Sequence, residues 1–372
     1  MQILRQFTLV NKKYNQVGKA KLAYIEMHKL LKAVMECDAS DLHITSGAPP
    51  IVRIDGNLKP LNFPPITPED SIRMIYSLLN DSQKAKFESN LELDLSLDIK
   101  DVGRFRVNVH KQRGAVEAAF RSVTNKIRTI KQLGLPSIVE DLARKEQGLI
   151  LVTGPTGSGK TTTLAAMINQ INNERHCVII TIEDPIEYIH MHKKSIIKQR
   201  EVLADTRSFA DALKHVLRQD PDVICIGEMR DLETISTALT AAETGHLVLA
   251  TIHTPDAAQT VDRIVDVFPP FQQQQIRFQF ASTLEGIIAQ QLLPVSSGNG
   301  RVVAVEILIA NIAVRKIIRS QKTEQIETIL QTGSELGMIS MDKSLKDLYE
   351  KGIISYDEAI SSTKYPQSFN QL

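Results

Sequence analysis

The amino-acid sequence predicts an α/β fold in two parts, an α+β domain followed by a larger domain built on a buried, helix-covered sheet. Two observations carry this. Between Met27 and Asn125, apolar and polar residues alternate in short runs broken by turn residues, the pattern of half-buried strands. From about Ile127 to Pro270, short continuous apolar strands alternate with helix-length segments, as in a sheet covered on both faces.

In the first part, strands are predicted at Asp41 to Thr45 and Ile51 to Ile54, with a turn at Asp55-Gly56-Asn57. Leu91, Leu93, Leu95, Leu97 and Ile99 alternate with polar residues and predict one arm of an antiparallel hairpin. After a turn through Asp101 to Gly103, Phe105, Val107 and Val109 face the core. Arg104, Arg106, Asn108 and His110 then share the opposite face. In the second part, strands are expected at Leu149 to Thr153, Val178 to Ile182, Val223 to Ile226 and Leu247 to Ile252. Beyond Pro270 the sequence reads as mostly helical, with one strand at Val302 to Leu308.

The chain thus divides into an extension over 1–26, expected to be poorly ordered, a domain over 27–125 and a domain over 126–372. A linker is expected near 126–136, and a helical C-terminal part from about 271. The extension carries five Lys/Arg against one acid and has no apolar stretch of the kind that marks a signal peptide.

Composition narrows the function classes. With 372 residues, 42% hydrophobic and 23% charged, the chain has the make-up of an ordinary globular protein of two or three domains. A formal net charge of +1 and 5% aromatic residues give no sign of a nucleic-acid partner. The three cysteines, Cys37, Cys177 and Cys225, form no CxxC pair, which excludes a tetracysteine metal module and fits a reducing compartment. No apolar run approaches the roughly 20 residues of a transmembrane helix.

The most specific signal is Gly154-Pro155-Thr156-Gly157-Ser158-Gly159-Lys160-Thr161, followed by Thr162, which matches GxxxxGK[ST] between an expected strand and an expected helix. Leu164, Met167, Ile168 and Ile171 supply that helix with a core-facing stripe. Glycines let consecutive backbone N–H groups turn in around phosphate oxygens, and the helix N-terminus adds its positive dipole end. Lys160 is assigned to the β- and γ-phosphates and Thr161 to Mg²⁺, so ATP and Mg²⁺ are the expected ligands.

Ligands of open α/β sheets bind beyond the carboxyl ends of the strands. The other strands of this region end in Glu183-Asp184, Gly227-Glu228 and His253-Thr254. Glu183 is the candidate for orienting or activating the attacking water. Glu228 is the candidate Mg²⁺ acid, binding directly or through water, although an acid at that place also suits a base. His253 is a candidate sensor of the γ-phosphate. Asp184, before Pro185, suits a helix N-cap as well as it suits catalysis. His246, ahead of its strand, reads as structural. After Asp205, Phe209, Ala212, Leu213, Val216 and Leu217 form a core stripe, leaving Arg207, Lys214 and Arg218 on a solvated or subunit-facing surface rather than in a catalytic set.

Four blocks in order, GPTGSGKTTT (154–163), TIEDPIEY (181–188), DPDVICIGEMRD (220–231) and TGHLVLATIHT (244–254), resemble the secretion and type IV pilus motor ATPases. The resemblance runs from about Met27 to the C-terminus. ASDLHITSGAPPIVRIDG (39–56) is similar to the PAS-like N-terminal domain of the family's retraction branch. AVRKIIR (313–319) is similar to that branch's C-terminal motif, with Val314 and Lys316 as departures.

The resemblance implies a PAS-like domain followed by a RecA-like ATPase domain, in a homohexameric ring with ATP bound between domains. It also implies that arginines of the N-terminal domain complete the site, and Arg104, Arg106 and Arg113 match that basic stretch. The implied function is an ATP-driven motor for pilus retraction. Its partners would be an inner-membrane platform protein and the pilin machinery, and its place the cytoplasmic face of the inner membrane. Rival readings are an assembly or type II secretion ATPase, a RecA-like nucleic-acid motor and a regulatory subunit that barely hydrolyses ATP.

Overall fold

The computed structural model describes residues 26–54, 56–124, 126–298 and 300–366, so the extension expected over 1–26 lies, apart from Glu26, outside the described residues. The chain divides into two compact units, the first ending at Thr124.

The first unit opens with helix α1 (Met27–Glu36), which buries Met27, Leu30, Leu31 and Val34 at helical spacing. Strands β1 (Asp41–Ile44), β2 (Ile51–Ile54) and β3 (Asn57–Pro60) follow. Next come helices α2 (Pro68–Tyr76) and α3 (Asp81–Asn90). Thr67 caps α2 by accepting from the Asp70 N–H, with Pro68 at its first position; Asn80 and Gln83 form a reciprocal capping box on α3. Strands β4 (Glu92–Ile99), β5 (Gly103–Gln112) and β6 (Ala115–Val123) complete an antiparallel sheet in the order β3-β2-β1-β6-β5-β4.

Phe105, Val107 and Val109 are buried with Phe87, Phe120 and the α1 stripe, as their period of two requires. Leu91 corrects the expected row. It is the left-handed cap that ends α3 (φ 63°) and is exposed, so the inward-facing row starts at Leu93. The alanine-rich β6 was not expected from the sequence, because AVEAAFRSV lacks the alternation that marked its neighbours.

The second unit carries a seven-stranded sheet. Helix α4 (Ile138–Ala143) precedes β7 (Gly148–Thr153), and α5 (Lys160–Glu174) leads to β8 (Val178–Glu183). The chain continues through β9 (Ile196–Glu201), α6 (Phe209–Val216), β10 (Val223–Ile226) and α7 (Leu232–Glu243). Then come β11 (Leu247–Ile252), α8 (Ala257–Asp266), α9 (Pro270–Thr283), β12 (Leu284–Pro294) and β13 (Arg301–Ile309). The order is β13-β12-β7-β11-β10-β8-β9, with every neighbouring pair parallel except β12 with β13.

One face of the sheet packs on α5, whose stripe Leu164, Met167, Ile168 and Ile171 meets Ile150, Val152, Ile179 and Leu249. The other packs on α6 and α7, where Ala212, Leu213 and Val216 meet Ile180, Ile182 and Ile224, with Phe209 and Leu217 at the margin. Arg207, Lys214 and Arg218 are exposed, and Lys214 pairs with Glu233 of α7.

The region beyond Pro270 departs from the expected mostly helical part with a single strand. β12 runs eleven residues between β7 and β13. Buried on both faces, it shows no alternation, and it follows α9 without a connecting loop, so its apolar residues read as a continuing helix. Helices α10 (Ile312–Arg319), α11 (Ile326–Thr332), α12 (Met341–Glu350) and α13 (Tyr356–Ser362) close the unit. Arg315 of α10 donates to Ala281 O and Ser282 O (both 2.6 Å), to Ala310 O (3.1 Å) and to Glu285 (2.9 Å), bracing the point where α9 becomes β12.

Candidate nucleotide site

The loop between β7 and α5 turns on glycines in conformations that other residues rarely adopt: Gly154 (φ 136°), Gly157 (82°) and Gly159 (90°). A side chain on Gly154 would also run into Gln290 O of β12 and the Ser158 hydroxyl, so close packing as well as torsion requires glycine there. The Ser158 hydroxyl is buried and has no hydrogen-bond partner among the described residues. A tight glycine loop at a helix N-terminus, with an unpartnered buried hydroxyl, fits a polyphosphate. Pro155 and Thr156 are exposed on its rim.

Lys160 is 8% exposed and donates to Gly154 O (2.8 Å) and Pro155 O (2.9 Å). Its Nζ also lies 3.5 Å from His253 Nδ1. Burial lowers its affinity for the proton, while the charges of Glu228 and Glu187 oppose that. Thr161 and Thr162 occupy the first turn of α5, where Thr162 Oγ1 shares a hydrogen bond with the Tyr188 hydroxyl (2.9 Å). Thr163 Oγ1 accepts from Gln290 Nε2 (2.9 Å).

The neighbouring strand ends supply the acids. His253 Nε2 lies 3.3 Å from Glu228 Oε2, and Arg230 Nε donates to Glu228 Oε1 (2.5 Å). Burial pushes the Glu228 carboxyl up, but Arg230 and His253 outweigh it and hold the group below its ordinary value. Lys160, His253 and Glu228 therefore form one chain of contacts across the ends of β7, β11 and β10. The Thr161 hydroxyl and the Glu228 carboxylate are hard oxygen donors of the kind Mg²⁺ takes.

Glu183 ends β8 on the α5 face of the sheet, two residues beyond Thr181 and four beyond Ile179. Its Oε1 accepts from Thr181 Oγ1 (2.6 Å) and Gln199 Nε2 (3.0 Å). Burial raises this carboxyl above the usual range, with the Thr181 and Gln199 hydrogen bonds acting against it. Asp184 is exposed and is followed by a loop rather than a helix, so the alternative of an N-cap does not apply. The cap of α7 is Asp231, three residues past Glu228. His246 Nδ1 contacts Ala241 O (2.9 Å) at the C-terminal end of α7, a structural position.

Arg104, Arg106 and Arg113 belong to the first unit. Arg104 and Arg106 lie on β5 opposite its buried row, and Arg113 takes a left-handed conformation (φ 49°) at the turn into β6. Sequence reasoning missed Tyr188, Gln199 and Gln290. Tyr188 stood within the second sequence block; nothing in the sequence marks either glutamine.

Residues 16–336 match the family described as Type II/IV secretion system protein, and the chain belongs to that family. Among curated proteins it is 46% identical over 345 residues to the type IV pilus retraction ATPase PilT of Pseudomonas aeruginosa, covering 93% of this chain and 100% of that protein. It is 49% identical over 310 residues to a twitching motility protein of Neisseria gonorrhoeae, covering 83% of each. Among solved structures, the pilus retraction motor PilT with bound ADP superposes with a TM-score of 0.87 at 50% identity, covering 94% of this chain and all of that one.

Proposed function

We propose that this chain is an ATP-hydrolysing motor that powers type IV pilus retraction. The observation that carries the reading is the contact chain Lys160–His253–Glu228, which joins the phosphate loop to the ends of two neighbouring strands. Full-length similarity to a protein named as a retraction ATPase supports the mechanical assignment.

In this reading the loop from Gly154 to Thr162 binds ATP, and Lys160 moves from its two loop carbonyls to the β- and γ-phosphates. Thr161 and Glu228 hold Mg²⁺, which neutralises charge on the phosphates when bound. Glu183, raised by burial, takes the proton of the attacking water. His253 relays the state of the γ-phosphate to Glu228. Arg104, Arg106 and Arg113, brought by a neighbouring copy, balance the charge on the leaving phosphate. The first unit is read as PAS-like and the second as RecA-like, in a homohexameric ring. Among the described residues no helix is long and apolar enough to cross a membrane. Attachment at the cytoplasmic face of the inner membrane would then run through a platform protein that works with the pilin machinery.

Lys160→Ala should abolish ATP binding or turnover, and near-normal ATPase in that variant would remove the site assignment. Deleting the chain from its host tests the direction of work. Retraction predicts cells rich in pili that cannot move over a surface; cells without pili would assign the motor to assembly.

A further inference from the structure

Gln199 plays no part in the four sequence blocks, yet its side chain makes three hydrogen bonds at one junction. Its Nε2 donates to Glu183 Oε1 (3.0 Å) and Tyr188 O (2.8 Å), while its Oε1 accepts from the His190 N–H (2.8 Å). The register of β8 and β9 explains the reach. Thr181 pairs with Gln199, so both point to the same face, and Glu183 follows two residues on.

The two side-chain donors share one oxygen. Thr181 Oγ1 and Gln199 Nε2 both fall on Oε1 of Glu183, and neither takes Oε2. We propose that Gln199 is the positioning residue of the hydrolytic reaction: it anchors Oε1 of Glu183 so that Oε2 is the oxygen that receives the proton of the attacking water. The inference rests on the reading of Glu183 as the base and adds which atom acts and what holds it.

The same amide ties the acid to the phosphate loop. It fixes Tyr188 and His190, and the Tyr188 hydroxyl meets Thr162 in the first turn of α5. Removing the amide therefore has two separable effects, a misaimed carboxylate and a looser 188–190 segment. The groups around Glu183 set the direction of its titration. Glu187 from its own loop acts both ways, its backbone N–H donating to the carboxylate and favouring the charged form while its side-chain charge disfavours it. The Cys225 thiol of β10 lies within the field of Glu183, and Glu201 of β9 accepts from the Ile186 N–H nearby. Loss of a donor from this partly buried carboxylate raises its proton affinity, so activity fails at a higher pH as the medium is acidified.

The test uses the full chain, with single-turnover ATP hydrolysis followed from acid to alkaline pH and ATP affinity measured separately. Gln199→Leu removes every hydrogen bond; Gln199→Glu keeps an acceptor for the His190 N–H but removes the amide donor. Both should slow hydrolysis about tenfold or more with ATP affinity within about twofold of wild type. The acid limb of the profile should move to higher pH, furthest in Gln199→Glu, where a second acid faces Glu183. If Gln199→Glu hydrolyses ATP like wild type with an unmoved acid limb, or if affinity falls in step with rate, Gln199 only braces the loop and the proposal fails. Should Gln199→Leu not fold, Gln199→Glu decides alone. A parallel Glu183→Gln separates the two readings: retained turnover there overturns the base itself, whereas lost turnover beside wild-type Gln199 variants overturns only the positioning role.

Discussion

Gly154→Ala puts the geometry of the phosphate loop to a quantitative test. At φ 136° any side chain is strained, and backbone strain of this kind costs about 1–3 kcal/mol. The added methyl would also meet Gln290 O and the Ser158 hydroxyl. Ser158 can rotate away, but Gln290 O belongs to the backbone of β12, held on one side by β7 and on the other by β13. With that contact the penalty reaches about 2–4 kcal/mol, which the loop relieves only by leaving the conformation that suits phosphate. Taken wholly from binding, this weakens ATP by roughly 30- to 1000-fold. Gly157→Ala is the internal control. It carries torsional strain at φ 82°, but among the described residues nothing lies within 4 Å of the added carbon, so about 1–2 kcal/mol and a roughly 5- to 30-fold loss are expected. Equilibrium titration with a fluorescent ATP analogue, alongside thermal melting, reads both. Wild-type affinity and melting in Gly154→Ala, or a larger loss in Gly157→Ala, would refute the role given to β12 as the wall of the loop.

Other expectations follow from charges and hydrogen bonds outside the loop. Glu306 is 8% exposed; burial, with Asp256 nearby, pushes its carboxyl up to about 7 against the Ala257 N–H and Lys364. Because the folded value lies above the unfolded one, the stability linked to its proton is complete below about pH 4.5 and is lost as pH rises to about 7. Glu306→Gln should therefore gain roughly 3 kcal/mol on wild type between those limits in urea unfolding, and a constant difference would refute the buried-acid account. Arg315→Ala strips four hydrogen bonds from the junction of α9 and β12 and should cost about 2–4 kcal/mol. Lys316→Ala, exposed on the same helix, should stay within about 0.5 kcal/mol. Equal effects of the two in the same unfolding assay would show that Arg315 is not a brace.

Much of this molecule can be read from its sequence where one physical rule acts alone. The parallel strands β7, β8, β10 and β11 are continuous apolar runs, and the loop at Gly154 needs its glycines, so both are legible. Legibility fails where two rules compete or where a partner is remote in sequence. The strand β12 is apolar on both faces and abuts a helix, and its period is ambiguous. The short polar edge strand β9 hides behind Lys198, Gln199 and Arg200. The acids Glu183 and Glu228 and the imidazole of His253 could be named because strand ends point to ligands. Gln199 and Gln290 could not, since a glutamine becomes informative only once register sets it beside Glu183 or Thr163.

The wall that β12 provides for the phosphate loop has a consequence for how the chain can be divided. All four sequence blocks end by Thr254, and a fragment cut after them would look complete on paper. Yet Gln290, thirty-six residues further on, supplies both the carbonyl that crowds Gly154 and the amide that holds Thr163. The smallest piece able to keep the loop in shape must therefore extend through β12, and through β13 if that strand is to keep both its neighbours. Truncation, insertion and domain-exchange boundaries for this protein belong after Arg319, so that Arg315 still braces the start of β12, and not after Thr254.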